Sequence, residues 1–135
     1  MPFVLDASIA LSWHFEDEES DAAEAAFDRL VLDAAIVPSL WPVEFGNGLL
    51  AAERRGRIGV AAVSRAIELT FQLPIRVEPA ASGLTLGTVF VLAREYGLSA
   101  YDVAYLELAL RERLPLATID ARLRAAAARA EVELL

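Results

Sequence analysis

Short apolar segments alternate with longer segments of helical period along almost the whole chain, and this alternation limits the folds it can adopt. The apolar segments predict strands at residues 3–5, 36–37, 75–77, 116–118 and 132–134. The segments with helical spacing predict helices at residues 7–13, 21–32, 40–55, 60–71, 86–93, 100–113 and 121–130. Gly97 is predicted to end the fifth of these helices. Strands that alternate with helices indicate an α/β fold with a short parallel sheet flanked by helices.

The composition fits one domain that spans residues 1–135, because roughly 100–200 residues is the usual domain size. At 56% hydrophobic residues, the chain can bury a substantial core. No apolar run approaches the roughly 18–20 residues of a membrane span, and the N-terminus lacks the charged and apolar regions of an export signal. The chain has no cysteine, which excludes disulfides. We therefore expect a cytoplasmic protein without a membrane partner.

Several kinds of chemistry are excluded by the residues that the chain lacks. It has no lysine among its 12 basic residues, and only one histidine, His14. This excludes Schiff-base chemistry, a phosphate-loop lysine and a metal site of paired histidines within one chain. The 20 aspartates and glutamates remain, so the available chemistry is that of carboxylates. The net charge of −8 has the wrong sign for a nucleic-acid binder, unless arginines cluster locally and cations sit in the site.

Four carboxylates follow predicted strands or begin predicted helices. They are Asp6 after the first strand, Glu44 and Asp102 in the first turns of two helices, and Asp120 after "LPLATI". Each has an ordinary structural explanation, as a helix cap or as a charge at the positive end of a helix dipole. A cap can also be a metal ligand, so the two explanations are compatible.

Together the four acids predict a metal site. The carboxyl ends of parallel strands share one edge of the sheet, where ligands bind in folds of this class. Asp6 and Asp120 come off two strand ends, and the helices that carry Glu44 and Asp102 begin at the same edge. Four carboxylates in contact would repel one another without cations. Mg²⁺ and Mn²⁺ prefer oxygen ligands, and a metal pair stabilises both the attacking and the leaving oxygen of a phosphodiester.

The four acids lie in motifs that resemble those of the PIN-domain ribonucleases. The motifs are "VLDASIAL", "PVEFGNGLL", "LSAYDVAYLELAL" and "LPLATIDARL", in that order over nearly the whole chain. The resemblance extends to the VapC-type toxins of bacterial toxin–antitoxin pairs. It implies a PIN-like three-layer α/β/α fold, Mg²⁺- or Mn²⁺-dependent endoribonuclease activity on RNA, homodimers and a cognate antitoxin. It also implies that the metal-binding catalytic cluster consists of Asp6, Glu44, Asp102 and Asp120.

Three polar residues near the acids match residues common in that family: Ser8, Asn47 and Thr118. Asn47 lies one helical turn after Glu44, where it either orients that carboxylate, contacts a phosphate or is simply exposed. The hydroxyls of Ser8 and Thr118 either hold a carboxylate or a water, or bond to the local backbone.

Two arginines, Arg122 and Arg124, lie on the last predicted helix just after Asp120. Guanidinium groups bind phosphates through paired hydrogen bonds, so both arginines are candidates for contact with the RNA backbone. A solvated helix face is the ordinary alternative.

Three further features have plain structural interpretations. Gly46 and Gly48 lie inside a predicted helix, where glycine is unfavourable, so a close helix contact is expected there. The acidic run "EDEESD" at residues 16–21 is interpreted as a solvated turn into the next helix, and not as a metal loop. His14, between two aromatic residues, is expected to pack and not to catalyse.

Two functions of different classes follow from these residues. The first is the metal-dependent ribonuclease toxin, and the alternative is a non-catalytic protein-interaction module on the same scaffold. A phosphatase with an aspartyl nucleophile is disfavoured, because Ser8 replaces the second aspartate of the usual pair and no lysine exists.

Overall fold

Four short parallel strands form the centre of the structure, a computed structural model that describes residues 1–135. They are β1 (Phe3–Leu5), β2 (Ala35–Val37), β3 (Ile75–Val77) and β4 (Leu116–Ala117). The strands lie in the order β3-β2-β1-β4, and every neighbouring pair is parallel. Strands β1, β2 and β4 are buried on both faces, whereas β3 is a partly exposed edge.

Seven α-helices cover the two faces of this sheet. They are α1 (Ala7–Ser12), α2 (Asp21–Arg29), α3 (Trp41–Arg54), α4 (Val60–Thr70), α5 (Gly83–Tyr96), α6 (Ala100–Glu112) and α7 (Ala121–Arg129). Helix α1 packs on α2 and α3, and α3 packs on α4, whereas α6 packs on α5, α7 and β1. With right-handed crossovers, this places α1–α4 on one face and α5–α7 on the other. The predicted three-layer α/β/α fold is confirmed.

The predicted elements agree with the structure except at their ends and at the last strand. Helix limits differ by at most three residues, and Gly97 ends α5 in the left-handed conformation with a φ of 64°. The fifth predicted strand, at residues 132–134, is wrong. Glu131 turns the chain with a left-handed φ of 60°, and only Leu134 then forms a bridge, with Leu116. None of the helices is long and apolar enough to cross a membrane.

The strand order reverses beside β1, which places a crevice at the carboxyl ends of β1 and β4. The chain moves from β1 to β2 and β3 on one side, and then returns to place β4 on the other side of β1. Val4 pairs with Leu116 and Leu5 with Ala117, so the next residues along, Asp6 and Thr118, lie side by side. Ligands bind at such a reversal point in open α/β sheets, so this edge of the sheet is the expected position of a binding site.

Helices α1 and α3 are in close contact at Gly48. A Cβ atom added at Gly48 would lie 2.4 Å from Cδ1 of Leu11, which is closer than real contacts allow. A Cβ atom added at Gly46, in the same helix, would meet nothing within 4 Å. The expected close helix contact therefore occurs at Gly48 alone.

Alanine substitutions at these two glycines should differ in their effect on stability. Gly46→Ala should raise the free energy of unfolding by about 1 kcal/mol, because alanine is the better helix former. Gly48→Ala gains the same helical preference but must move the end of the Leu11 side chain, so it should stabilise the protein less than Gly46→Ala does. Urea denaturation of both variants measures the difference. Equal stabilisation of the two variants would mean that α1 and α3 do not pack as described.

Candidate functional site

Asp6 follows β1 directly and is only 7% exposed. Its Oδ2 atom accepts hydrogen bonds from the hydroxyls of Ser8 and Thr118, both at 2.7 Å. Asp6 occupies the N-cap position of α1, yet its side chain forms no capping hydrogen bond there. Helix capping alone therefore does not explain this aspartate, because two neutral hydroxyl donors hold its carboxylate.

Thr118 connects the ends of β1 and β4. Its hydroxyl donates to Asp6 and also accepts a hydrogen bond from the backbone N–H of Asp120, at 3.0 Å. Asp120 in turn caps α7, because its Oδ1 atom accepts from the N–H of Leu123 at 2.9 Å. The ordinary capping explanation is correct for Asp120, and the cap leaves its second oxygen without a protein partner.

Glu44 and Asp102 lie in the first turns of α3 and α6, and both are half-buried. The hydroxyl of Tyr105 donates to Oε1 of Glu44. At the start of α6, Ser99 is the N-cap and accepts from the backbone N–H of Asp102 at 3.1 Å. The first turn of α6 is thus capped by Ser99, so Asp102 itself is not needed as the cap.

The charges of these four acids act on one another. Burial raises the pKa of Asp6 above its usual value; the hydroxyls of Thr118 and Ser8 oppose this, and the charge of Asp102 adds to it. Burial also raises the pKa of Glu44. The hydrogen bond from Tyr105 lowers this pKa, whereas the charges of Asp6 and Asp102 raise it further. Three carboxylates that are distant in sequence, those of Asp6, Glu44 and Asp102, thus share one electrostatic neighbourhood.

Asp102 connects this neighbourhood to Asp120 and to an arginine. Burial raises the pKa of Asp102, and the nearby charge of Asp120 raises it further. Ser99 and the positive charge of Arg122 lower it. None of the four acids forms an ion pair with an arginine, so their mutual repulsion is met mainly by neutral donors.

In three of the four carboxylates, one oxygen accepts hydrogen bonds and the other has no protein partner. These three are the carboxylates of Asp6, Glu44 and Asp120. These free oxygens are not sealed in the interior, since the only fully buried side-chain polar atom without a partner is Nε1 of Trp41. No three acidic side chains are close enough together to hold a metal ion as they stand. A metal site at this edge would therefore form by rotation of these side chains.

Asn47 and the two candidate arginines differ in exposure and in their hydrogen bonds. Asn47 is exposed and makes no hydrogen bond to Glu44, which accepts from Tyr105 instead. Contact between Asn47 and a phosphate stays a prediction. Arg124 is half-buried and donates to the carbonyl of Thr118 at 2.9 Å. Arg122 is exposed and donates to the carbonyl of Gly97 at 2.7 Å.

Tyr105 is the residue at this site that the sequence interpretation missed. It follows Asp102 by three residues, so the two side chains lie on the same face of α6. This spacing within "YDVAY" is the signal available in the sequence, but a tyrosine in an apolar helix is usually explained by packing. Only the fold brings Tyr105 to Glu44, which is 61 residues away along the chain.

A concavity with a volume of about 800 Å³ lies elsewhere on the surface. It is lined by residues of α1, α2 and the turn between them, including Trp13 and Phe27, and contains none of the four acids. The candidate site lies at the acids nevertheless, because they are at the edge of the sheet where the strand order reverses and where ligands bind in open α/β sheets. Arg57 forms ion pairs with Asp17 and Glu18 in the acidic turn beside this concavity.

The acidic turn at residues 16–21 and His14 are found as predicted, the first as a turn before α2 and the second as a packed side chain. Residues Glu16–Glu18 form a short 3₁₀ turn, and Ser20 then caps α2. The Nε2 atom of His14 lies 2.8 Å from the hydroxyl of Thr70, and its ring packs near Phe45. Neither feature reaches the acidic edge, so neither takes part in the candidate site.

The PIN domain family model matches residues 3–129 of the chain. The structure is similar to that of PAE2754 from Pyrobaculum aerophilum, with a TM-score of 0.72 and 26% identity over 93% of this chain and 84% of that one. A search of curated protein sequences finds no significant match.

Two further solved structures share the fold at lower identity. VapC20 from Mycobacterium tuberculosis, described as a toxin that cleaves the sarcin–ricin loop, has a TM-score of 0.65 and 13% identity over 92% of this chain and 94% of that one. FitAcB from Neisseria gonorrhoeae has a TM-score of 0.67 and 17% identity over 100% of this chain and 96% of that one.

The raised pKa of Asp6 predicts a pH-dependent cost in stability for the metal-free protein. The unfolded-state pKa is about 4 and the folded-state pKa lies above it, so the folded form loses stability as pH rises through that interval. Asp6→Asn removes this loss. Relative to wild type, the variant should therefore become more stable as pH rises from about 4 towards neutrality.

Urea denaturation in EDTA across this pH range measures the effect. Asp28→Asn, which removes an exposed carboxylate on α2, is the matched control and should show a much smaller change with pH. A stability difference between Asp6→Asn and wild type that stays constant with pH would contradict the burial of a charged Asp6.

Proposed function

We propose that this chain, which belongs to the PIN domain family, is a divalent-metal-dependent endoribonuclease that acts as the toxin of a toxin–antitoxin pair. The observation that carries the proposal is that Asp6, Glu44, Asp102 and Asp120 lie near the carboxyl ends of β1 and β4, within electrostatic range of one another, and that no arginine forms an ion pair with them. The similarity in fold to a toxin that cleaves the sarcin–ricin loop supports the same reaction class.

The donor set fits Mg²⁺ or Mn²⁺. Every candidate ligand is a carboxylate oxygen, the type that hard divalent cations prefer, and there is no cysteine or second histidine to select a softer metal. Asp6, Glu44, Asp102 and Asp120 are the residues that would hold the ion or ions. When bound, such a cation supplies positive charge for the phosphodiester and lowers the pKa of a water molecule.

The protein's own residues have separate tasks in this proposal. Ser8 and Thr118 hold one oxygen of the buried Asp6 carboxylate and leave the other oxygen without a hydrogen-bond partner. Asp102 has the fewest restraints of the four acids and so can adjust to a bound ion. Arg122 is exposed beside Asp102 and is the better placed of the two candidate arginines for contact with a phosphate. The role of Arg124 in RNA binding remains a prediction, since it is half-buried and committed to Thr118.

A cognate antitoxin and a second copy of the chain are the protein partners that we propose. The resemblance of the motifs to VapC-type toxins and the similarity in fold to the toxin VapC20 support an antitoxin partner here. An antitoxin arginine that reaches the acids would pair with a carboxylate through two hydrogen bonds and would occupy the place of the metal. The homodimer rests on the family resemblance alone.

A non-catalytic interaction module is the second candidate function. It is favoured by the absence of any three acids close enough to hold a metal as they stand. Metal binding separates the two candidates, because an ion bound only by the folded protein must raise its stability, by about 2.7 kcal/mol at 100 times the dissociation constant.

Asp6→Asn should abolish RNA cleavage while the protein stays folded. The amide keeps an oxygen for the two hydroxyl donors but removes the charge, and loss of a ligand should reduce the rate by at least about 100-fold. Cleavage of a labelled RNA in Mg²⁺ measures the rate, and thermal unfolding with and without Mn²⁺ reports binding. Asp102→Asn should behave in the same way.

Glu24→Gln, which changes an exposed acid on α2, is the control and should leave cleavage and the Mn²⁺-induced stabilisation unchanged. Wild-type cleavage by Asp6→Asn would refute the catalytic proposal. If wild type itself gains no stability in millimolar Mn²⁺, the interaction module is the better description.

A further inference from the structure

Tyr105 has a buried hydroxyl group that is not needed for packing of the hydrophobic core. Its side chain is completely buried, at 0% exposure, on the face of α6 that packs towards β1. Its hydroxyl donates to Glu44, and no other side-chain hydrogen bond joins α3 to α6. A phenylalanine would fill nearly the same volume without a buried hydroxyl, whose transfer from water costs free energy unless it is paired.

The hydroxyl of Tyr105 contacts Glu44 and also lies near Asp6. The charges of both Asp6 and Glu44 act on Tyr105. Tyr105 therefore does for Glu44 what Ser8 and Thr118 do for Asp6. All three donors are neutral, so they fix carboxylates without the positive charge that would compete with a bound cation.

We propose that Tyr105 is a positioning residue that holds Glu44 in the orientation needed for metal binding; this inference rests on the proposed function. A glutamate side chain has three rotatable bonds, and freezing it upon binding costs free energy. The tyrosine hydroxyl holds one oxygen of Glu44 in advance and leaves the other oxygen free. Partners of this kind typically change metal affinity by about 10–100-fold.

Tyr105→Phe tests the proposal, because it removes one oxygen atom and keeps the ring. Isothermal titration with Mn²⁺ should show affinity weakened by about 10–100-fold, while thermal unfolding in EDTA stays close to wild type. Tyr96→Phe is the matched control: Tyr96 is half-buried at the end of α5, and its hydroxyl makes no hydrogen bond. This variant should bind Mn²⁺ as wild type does.

A double-mutant cycle shows whether Tyr105 acts through Glu44. Tyr105→Phe should weaken Mn²⁺ binding in wild type and have almost no further effect in Glu44→Gln, because the group that it positions no longer carries charge. Additive effects of the two substitutions would overturn the proposal, and so would wild-type Mn²⁺ affinity in Tyr105→Phe.

The same titrations separate this inference from the proposed function. If wild type binds Mn²⁺ and Tyr105→Phe binds it equally well, the positioning role is wrong and the metal-dependent function stands. If wild type binds no Mn²⁺, the proposed function fails, and the positioning role fails with it.

Discussion

Mutual repulsion among carboxylates at one edge of a very short sheet is the constraint on which the rest of this structure depends. The reversal of strand order beside β1 brings Asp6 and Asp120 to the same crevice. The first turns of α3 and α6 add Glu44 and Asp102. Burial and like charge together raise the pKa of three of these acids, so the fold maintains this cluster at a cost to its own stability.

Neutral hydrogen-bond donors, and not arginines, hold this cluster in place. The chain has 12 arginines, yet its ion pairs lie elsewhere, for example between Arg57 and the acidic turn or between Arg111 and Glu107. A buried ion pair would have neutralised the acids permanently. Hydroxyl donors restrain one oxygen and leave the charge, and this is the arrangement expected of a site that accepts an external cation. A protein that used these acids only as helix caps would need neither Thr118 nor Tyr105 at their carboxylates.

Much of this arrangement could be predicted from the sequence, because it depends on local patterns. Helical period and short apolar runs located every helix and four strands, and the position of Asp6 after a strand placed it at the ligand edge. Tyr105 could not be found in this way, since its partner Glu44 is distant in sequence and only the packing of α6 on the sheet joins them. The last predicted strand is wrong because the backbone turns at Glu131, which has a left-handed φ, and only Leu134 of the predicted strand then pairs.

Anomalous X-ray diffraction from crystals soaked in Mn²⁺ tests the central claim most directly, because it locates the ion without reference to activity. The account predicts an anomalous peak at the carboxyl ends of β1 and β4, bound by Asp6 and at least one of Glu44, Asp102 and Asp120, with their side chains rotated towards it. A fully soaked crystal with no peak at this edge, and with the four carboxylates still apart, would contradict it.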